Sequence, residues 1–250
     1  MSVKIREVKV KSILTKTGIP GIDYCINPYV GCSHGCRYCY ATFMKRFTAH
    51  TEAWGSFVDV RINAPEVLQK QIKGGNKSGN IIISSVTDAY QPVEGKYKLT
   101  RQCLEVLLPY QFSISILTKS PLVLRDIDLF KKFGDIEVGV TITTDDEKVR
   151  KIFEPHAPPI GARINAIKTL HDNGIKTYAF IGPVLPMNPD AIIEKLRPHV
   201  DSVIISRMNY TSKTMQIYRS MNLTRWLDRG FTDKVIGRLK DGFDINKGVL

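Results

Sequence analysis

Three cysteines, Cys32, Cys36 and Cys39, fall together in the segment NPYVGCSHGCRYCYA, in a C-x3-C-x2-C arrangement. Thiolates are soft ligands, and three of them on one short loop can converge on a metal centre if the backbone wraps around it. Gly31 and Gly35 supply the freedom for that wrapping. Cys25 and Cys103 stand apart and read as small buried apolar residues. An odd cysteine count and an N-terminus, MSVKIREVKVKS, without an apolar signal core point to a cytoplasmic chain with reduced thiols, and against a disulfide framework. Two centres suit the triplet. Zinc asks for four ligands, and His34 is at hand, but no second Cys or His pair follows at finger spacing. An iron–sulfur cluster on three cysteines leaves one iron open for chemistry.

With Tyr38 just before the last cysteine, the spacing closely resembles the signature of the radical S-adenosylmethionine (SAM) enzymes. The strings SSVTDAYQPVEGKYKLTR, LTKS, LVLRDIDLF, VGVTITT, FEPHAPP and GPVLPMNPD follow in order, and together resemble the spore photoproduct lyase-like branch over residues 20–206. The resemblance implies a [4Fe-4S] cluster on Cys32, Cys36 and Cys39, with SAM on the open iron. Reductive cleavage of SAM then yields a 5′-deoxyadenosyl radical that abstracts hydrogen from a substrate, with a ferredoxin- or flavodoxin-type protein as one-electron reductant. It places Ser84, Ser85, Thr87 and Asp88 near the SAM amino group, which hydroxyls and a carboxylate suit. Lys119 falls to the SAM carboxylate, Thr141 to the ribose or carboxylate, Tyr38 to the adenine, and Arg163 to the same ligand. Tyr90, Gln91, Glu94, Arg207, Asn209 and Tyr210 are expected to face the substrate. Spore photoproduct lyases proper carry a hydrogen-donating cysteine after the second strand, where this chain has Ser84-Ser85, and they have a longer N-terminal region. Thymine-dimer repair is therefore not implied.

The elements that must position these residues alternate. Apolar, β-branched runs predict strands at 23–30, 80–86, 111–119, 135–144, 175–184 and 201–208. Helical spacing predicts helices at 99–110, 120–134, 161–173, 189–197 and across 211–250, the second opened by Ser120-Pro121 and closed by Gly134. Such alternation argues for a parallel α/β sheet, either doubly wound or a barrel. The resemblance implies a partial (β/α)6 barrel. No linker or repeat interrupts the chain, which reads as a single domain, residues 1–250, with a core at about 20–206, a basic N-terminal segment 1–19 and a helical extension 207–250.

The 250 residues carry 36 Lys+Arg and 24 Asp+Glu, a net +12, with 43% hydrophobic residues. No apolar run approaches the roughly 20 residues that span a bilayer, so an integral membrane protein is not expected. Residues 1–46 contribute +6 and residues 207–250 contribute +5, leaving +1 for the stretch between. Basic ends suggest nucleic acid or an anionic substrate. The alternative function is a non-catalytic, zinc-stabilised nucleic-acid-binding protein.

Overall fold

A computed structural model describes residues 3–75 and 78–244. Residues 1–2 of the N-terminal segment and 245–250 of the C-terminal extension lie outside the described residues. The strands are β1 Lys4–Val8, β2 Leu14–Lys16, β3 Tyr24–Ile26, β4 Tyr29–Val30, β5 Phe57–Arg61, β6 Asn80–Ile83, β7 Ser113–Thr118, β8 Ile136–Thr141, β9 Lys176–Ile181 and β10 Ser202–Ile205. The helices are α1 Ala64–Lys73, α2 Glu94–Tyr97, α3 Leu99–Leu107, α4 Ile127–Phe130, α5 Glu147–Phe153, α6 Ile160–Asp172, α7 Pro189–Leu196, α8 Thr211–Ser220 and α9 Arg229–Gly242. A 3-10 helix, Tyr40–Phe47, comes directly after the cysteine loop.

Seven strands form the main sheet in the order β10-β9-β8-β7-β6-β3-β2, with every pair from β3 to β10 parallel and β2 antiparallel on β3. Each new strand is added on the same side of the last. A doubly wound sheet reverses that direction midway, so the order here is that of a barrel wall. The edges β10 and β2 do not pair with each other, so the six parallel strands make a partial (β/α)6 barrel.

Alternation along the strands separates two faces. Ile81, Ile83, Ile114, Ile116, Val138, Val140, Ala179 and Ile181 are buried in the large apolar core shared with the helices. Ile82, Leu117 and Phe180 point the other way, into a cavity. Two residues upstream on that inner face, Tyr178 lies across Gly139, where a Cβ would sit 2.2 Å from the ring, and its hydroxyl donates to the Ile116 carbonyl at 3.1 Å. The phenol thus fills the space beneath the cavity. Side chains that accept free N–H groups start several helices: Asp146 for α5, Asn188 for α7 and Asp228 for α9.

Some expectations need correcting. The segment 23–30 is two strands: β3 joins the barrel, whereas β4 joins a second sheet of order β1-β5-β4. The expected helix at 120–134 is a 3-10 turn, Pro121–Asp126, continued by the short α4. The helical extension breaks into α8, a 3-10 turn at Thr224–Leu227, and α9. Among the described residues no helix is long and apolar enough to cross a membrane.

Candidate active site

A cavity of about 470 Å³ opens at the carboxyl ends of the parallel strands, where α/β barrels gather their ligands. Cys32, Cys36 and Cys39 all line it, as do Tyr38, Ser84, Ser85, Thr87, Asp88, Lys119, Thr141, Arg207, Asn209 and Tyr210. The strand termini bring together side chains that are up to 178 positions apart in the chain.

The cysteine loop owes its path to close backbone contacts. Gly31 has φ +86°, and a Cβ there would lie 2.4 Å from the Phe57 carbonyl oxygen of β5. Gly35, at φ +60°, packs against Gly55. The segment after β6 clasps this loop. Thr87 Oγ1 donates to the Gly31 carbonyl at 2.6 Å, Gln91 Oε1 accepts from the Ser33 N–H at 2.9 Å, and Gln91 Nε2 donates to Thr87 Oγ1 at 2.9 Å. Ser84, directly after β6, takes φ +68°, a conformation that non-glycine residues seldom adopt.

Asp88 is the hub of this junction. It accepts from the Tyr90 N–H at 2.9 Å, Thr118 Oγ1 at 2.6 Å and the Lys119 N–H at 2.8 Å, and its Oδ2 lies 3.4 Å from His34 Nδ1. Burial alone would raise its pKa, but the His34 charge and these hydrogen bonds outweigh it and hold the carboxyl well below the usual carboxylate range. Asp88 therefore ties the cysteine loop, the post-β6 segment and the end of β7 into one frame. His34 Nε2, buried on the cavity wall, has no hydrogen-bond partner.

A second buried frame lies behind Tyr38. Its hydroxyl donates to Glu154, which also accepts from Thr143 Oγ1 at 3.0 Å and pairs with Arg163 Nη2 at 2.5 Å. The Lys119 ammonium stands 5.8 Å from the Tyr38 ring centre. Burial pulls Lys119 toward neutrality, but the acidic groups around it, Glu154 and Asp88 among them, prevail and keep it cationic.

Four expected site residues are elsewhere. Gln91 is buried in the clasp, spent on Ser33, Gly31 and Thr87, and does not face the cavity. Arg163 does not reach the cavity, because Glu154 and the Thr141 and Pro158 carbonyls hold it in the interior. Tyr90 is buried with its hydroxyl on Asp126 at 3.0 Å. Glu94 is buried between Tyr29, Arg125 at 2.7 Å and the Thr100 N–H at 3.0 Å. Both shape the fold and neither faces a ligand. The cavity wall also includes Tyr40, Phe180 and Met208, which carry no motif of their own.

The donor set suits an iron–sulfur cluster. All three cysteines are free, and burial pushes the Cys36 thiol up to about 12, with Cys32 and Cys39 also raised. Such thiols stay protonated until a cationic centre compensates their charge, which is what a cluster does. Among the described residues no three Cys, His, Asp or Glu side chains surround a single ion position, so the zinc alternative finds no support.

Compared with known proteins, the chain matches the model of the radical SAM superfamily over residues 26–197. An uncharacterized protein of Methanocaldococcus jannaschii is 39% identical over 99% of this chain and 97% of its own length. Spore photoproduct lyase complexed with dinucleoside spore photoproduct superposes with a TM-score of 0.63 at 15% identity, over 80% of this chain and 60% of that one. SuiB of Streptococcus suis, bound to S-adenosylmethionine, superposes with a TM-score of 0.51 at 15% identity, over 80% and 47%. The chain thus spans under two thirds of the solved structures it resembles, and at these identities they share the fold alone.

Proposed function

This chain belongs to the radical SAM superfamily, and on that premise we propose that it uses Cys32, Cys36 and Cys39 to hold a [4Fe-4S] cluster and the adjoining cavity to bind SAM and abstract hydrogen from a substrate. When bound, the reduced cluster and SAM supply a 5′-deoxyadenosyl radical and methionine. The protein's residues bind, orient and seclude. Lys119, a half-buried cation on the cavity wall, offers a counter-charge for the SAM carboxylate. Thr141, Ser84 and Ser85 offer hydroxyls to the amino and ribose groups, while Thr87, its hydroxyl tied to Gly31 and Gln91, holds that segment in place. The Tyr38 ring, braced by Glu154, forms an apolar wall suited to the adenine. Arg207 and Tyr210 stand at the rim on the substrate side. A one-electron reductant of the ferredoxin or flavodoxin type completes the system.

The observation that carries this reading is the shared wall: three free thiols and a half-buried lysine on one cavity at the carboxyl ends of parallel strands. Anaerobic reconstitution with iron and sulfide, then dithionite and SAM, tests it. The expected result is a brown protein that releases 5′-deoxyadenosine, with both properties lost in Cys32→Ala and kept in Cys103→Ala. A folded protein that takes up no iron, or makes no 5′-deoxyadenosine, overturns it.

A further inference from the structure

We propose that the cavity mouth is a docking surface for single-stranded nucleic acid, built from the Tyr40–Phe47 helix and the segment after β10. On this helix Tyr40, Phe43 and Phe47 are 48%, 42% and 66% exposed, and across the opening Tyr210 is 46% exposed. Tyr40 and Tyr210 both line the cavity, so the exposed rings lead outward from it. Among the described residues the large apolar side chains this exposed number seven: Ile19, Tyr40 and Tyr210 line the cavity, Phe43 and Phe47 share the helix that Tyr40 starts, and Ile5 and Tyr110 belong to neither group. Contiguous exposed aromatics on a soluble domain mark a partner site.

The charge around these rings selects the partner. No acidic residue occurs between Asp23 and Glu52, a stretch holding Arg37, Lys45 and Arg46, nor between Asp201 and Asp228, which holds Lys213, Arg219 and Arg225 besides Arg207, the last paired with Asp233 of α9. The two acid-free segments meet where Lys213 of α8 donates to the Cys39 carbonyl at 3.0 Å and to Thr42 Oγ1 at 2.7 Å. The Arg46 guanidinium lies 4.7 Å from the Phe47 ring centre and 5.5 Å from that of Phe43. Flat rings interleaved with cations are what unpaired bases on a phosphate chain require: the bases stack and the phosphates pair. An acidic peptide would use the cations but not the rings, and a duplex hides its base faces. The cavity below has the size of a small-molecule pocket, so a base reaches it only when outside a stack.

The docking deepens the enzyme reading by naming its substrate class, and rests on that reading only for the radical chemistry on the docked strand. The cluster-loaded full chain is titrated, by fluorescence anisotropy at several salt concentrations, into a labelled mixed-sequence single strand (DNA and RNA separately), the matching duplex, and polyglutamate. A single strand of either sugar is expected to bind more tightly than duplex or polyglutamate. Phe43→Ala and Phe47→Ala should each weaken it about 5- to 100-fold. Arg46→Gln should lower the salt slope by about one, and Tyr110→Ala should change nothing. Absent binding, equal binding of duplex or polyglutamate, or indifference to the loss of both phenylalanines overturns the proposal. Intact 5′-deoxyadenosine release without strand binding sinks this inference alone, whereas strand binding by a protein that takes up no iron sinks the enzyme reading and leaves the docking surface.

Discussion

Individual side chains divide into those that meet a ligand and those that hold them. Lys119 is proposed among the first, and among the described residues its ammonium forms no ion pair comparable to Arg163–Glu154. Lys119→Met should raise the SAM dissociation constant about 10- to 100-fold, the worth of a charge-assisted hydrogen bond, while iron content stays unchanged. Equilibrium dialysis against SAM on the reconstituted protein measures this, and an unaltered constant removes Lys119 from the SAM site. The thiols carry a pH signature of their own. Cys36 is pushed up to about 12 from an ordinary 9.0, so the folded metal-free chain keeps a proton that the unfolded chain releases. Its contribution is therefore complete below the unfolded value and is lost as pH rises above it. The unfolding free energy of the metal-free protein, from urea titrations, should fall between about pH 8 and pH 10, by about 1 kcal/mol for this group, and fall less in Cys36→Ala. The cysteine cluster and the hydroxyl-rich end of β6 were legible because unusual residue types crowd into few positions. Tyr90 and Glu94 misled, since polar residues just past a strand look ligand-facing, and their partners Asp126 and Arg125 lie more than thirty residues away.

At the scale of elements, six parallel strands were legible because Val and Ile recur in short runs bounded by Gly, Asn and Asp, the pattern of a sheet buried on both faces. The second sheet was not. In β5, FVDVR, Asp59 interrupts the apolar run, and it is tolerated inside only because Arg6 on β1 meets it through two hydrogen bonds of 2.8 Å and His50 Nε2 through a third. That compensation comes from separate segments and leaves no local trace. The sheet matters for the site, because β5 supplies the Phe57 carbonyl against which Gly31 turns. The clasp over the cysteine loop is the corresponding control from the other side. Gln91→Ala removes the acceptor for the buried Ser33 N–H, an orphaned group costing about 1–3 kcal/mol, and loosens the clasp by removing a second donor from the Gly31 carbonyl, which keeps its bond from Thr87. The expected outcome is a protein with near-native circular dichroism whose iron uptake on reconstitution drops several-fold. Full iron occupancy in this variant would show that the loop holds its shape without the clasp.

For the whole molecule, the question is whether the C-terminal helices are an appendage or part of one cooperative unit. The sequence favours one domain, with residues 207–250 as an extension beyond the sixth strand. In α9, Val235, Ile236 and Leu239 are buried in the same apolar core as Ile192 and Leu196 of α7 and Ile205 of β10. Gly242 passes so close to α7 that a Cβ would lie 2.3 Å from Ile193. Helix α8 buries Tyr218 on Phe153 with ring centres 5.1 Å apart, and Phe153 in turn packs in the cluster that includes Cys36 and Tyr38. The extension therefore shares a core with the barrel wall on one side and with the cysteine loop on the other. Truncating a fully buried leucine to alanine costs about 2–5 kcal/mol, and in a domain of this size each kcal/mol moves the melting temperature by about 2–4 °C. If the chain unfolds as one unit, Leu239→Ala should keep a single calorimetric transition and lower its midpoint by about 5–15 °C, although the residue lies far along the chain from any cysteine. If the extension is an appendage, the variant should instead split the transition, with the barrel melting at its original temperature.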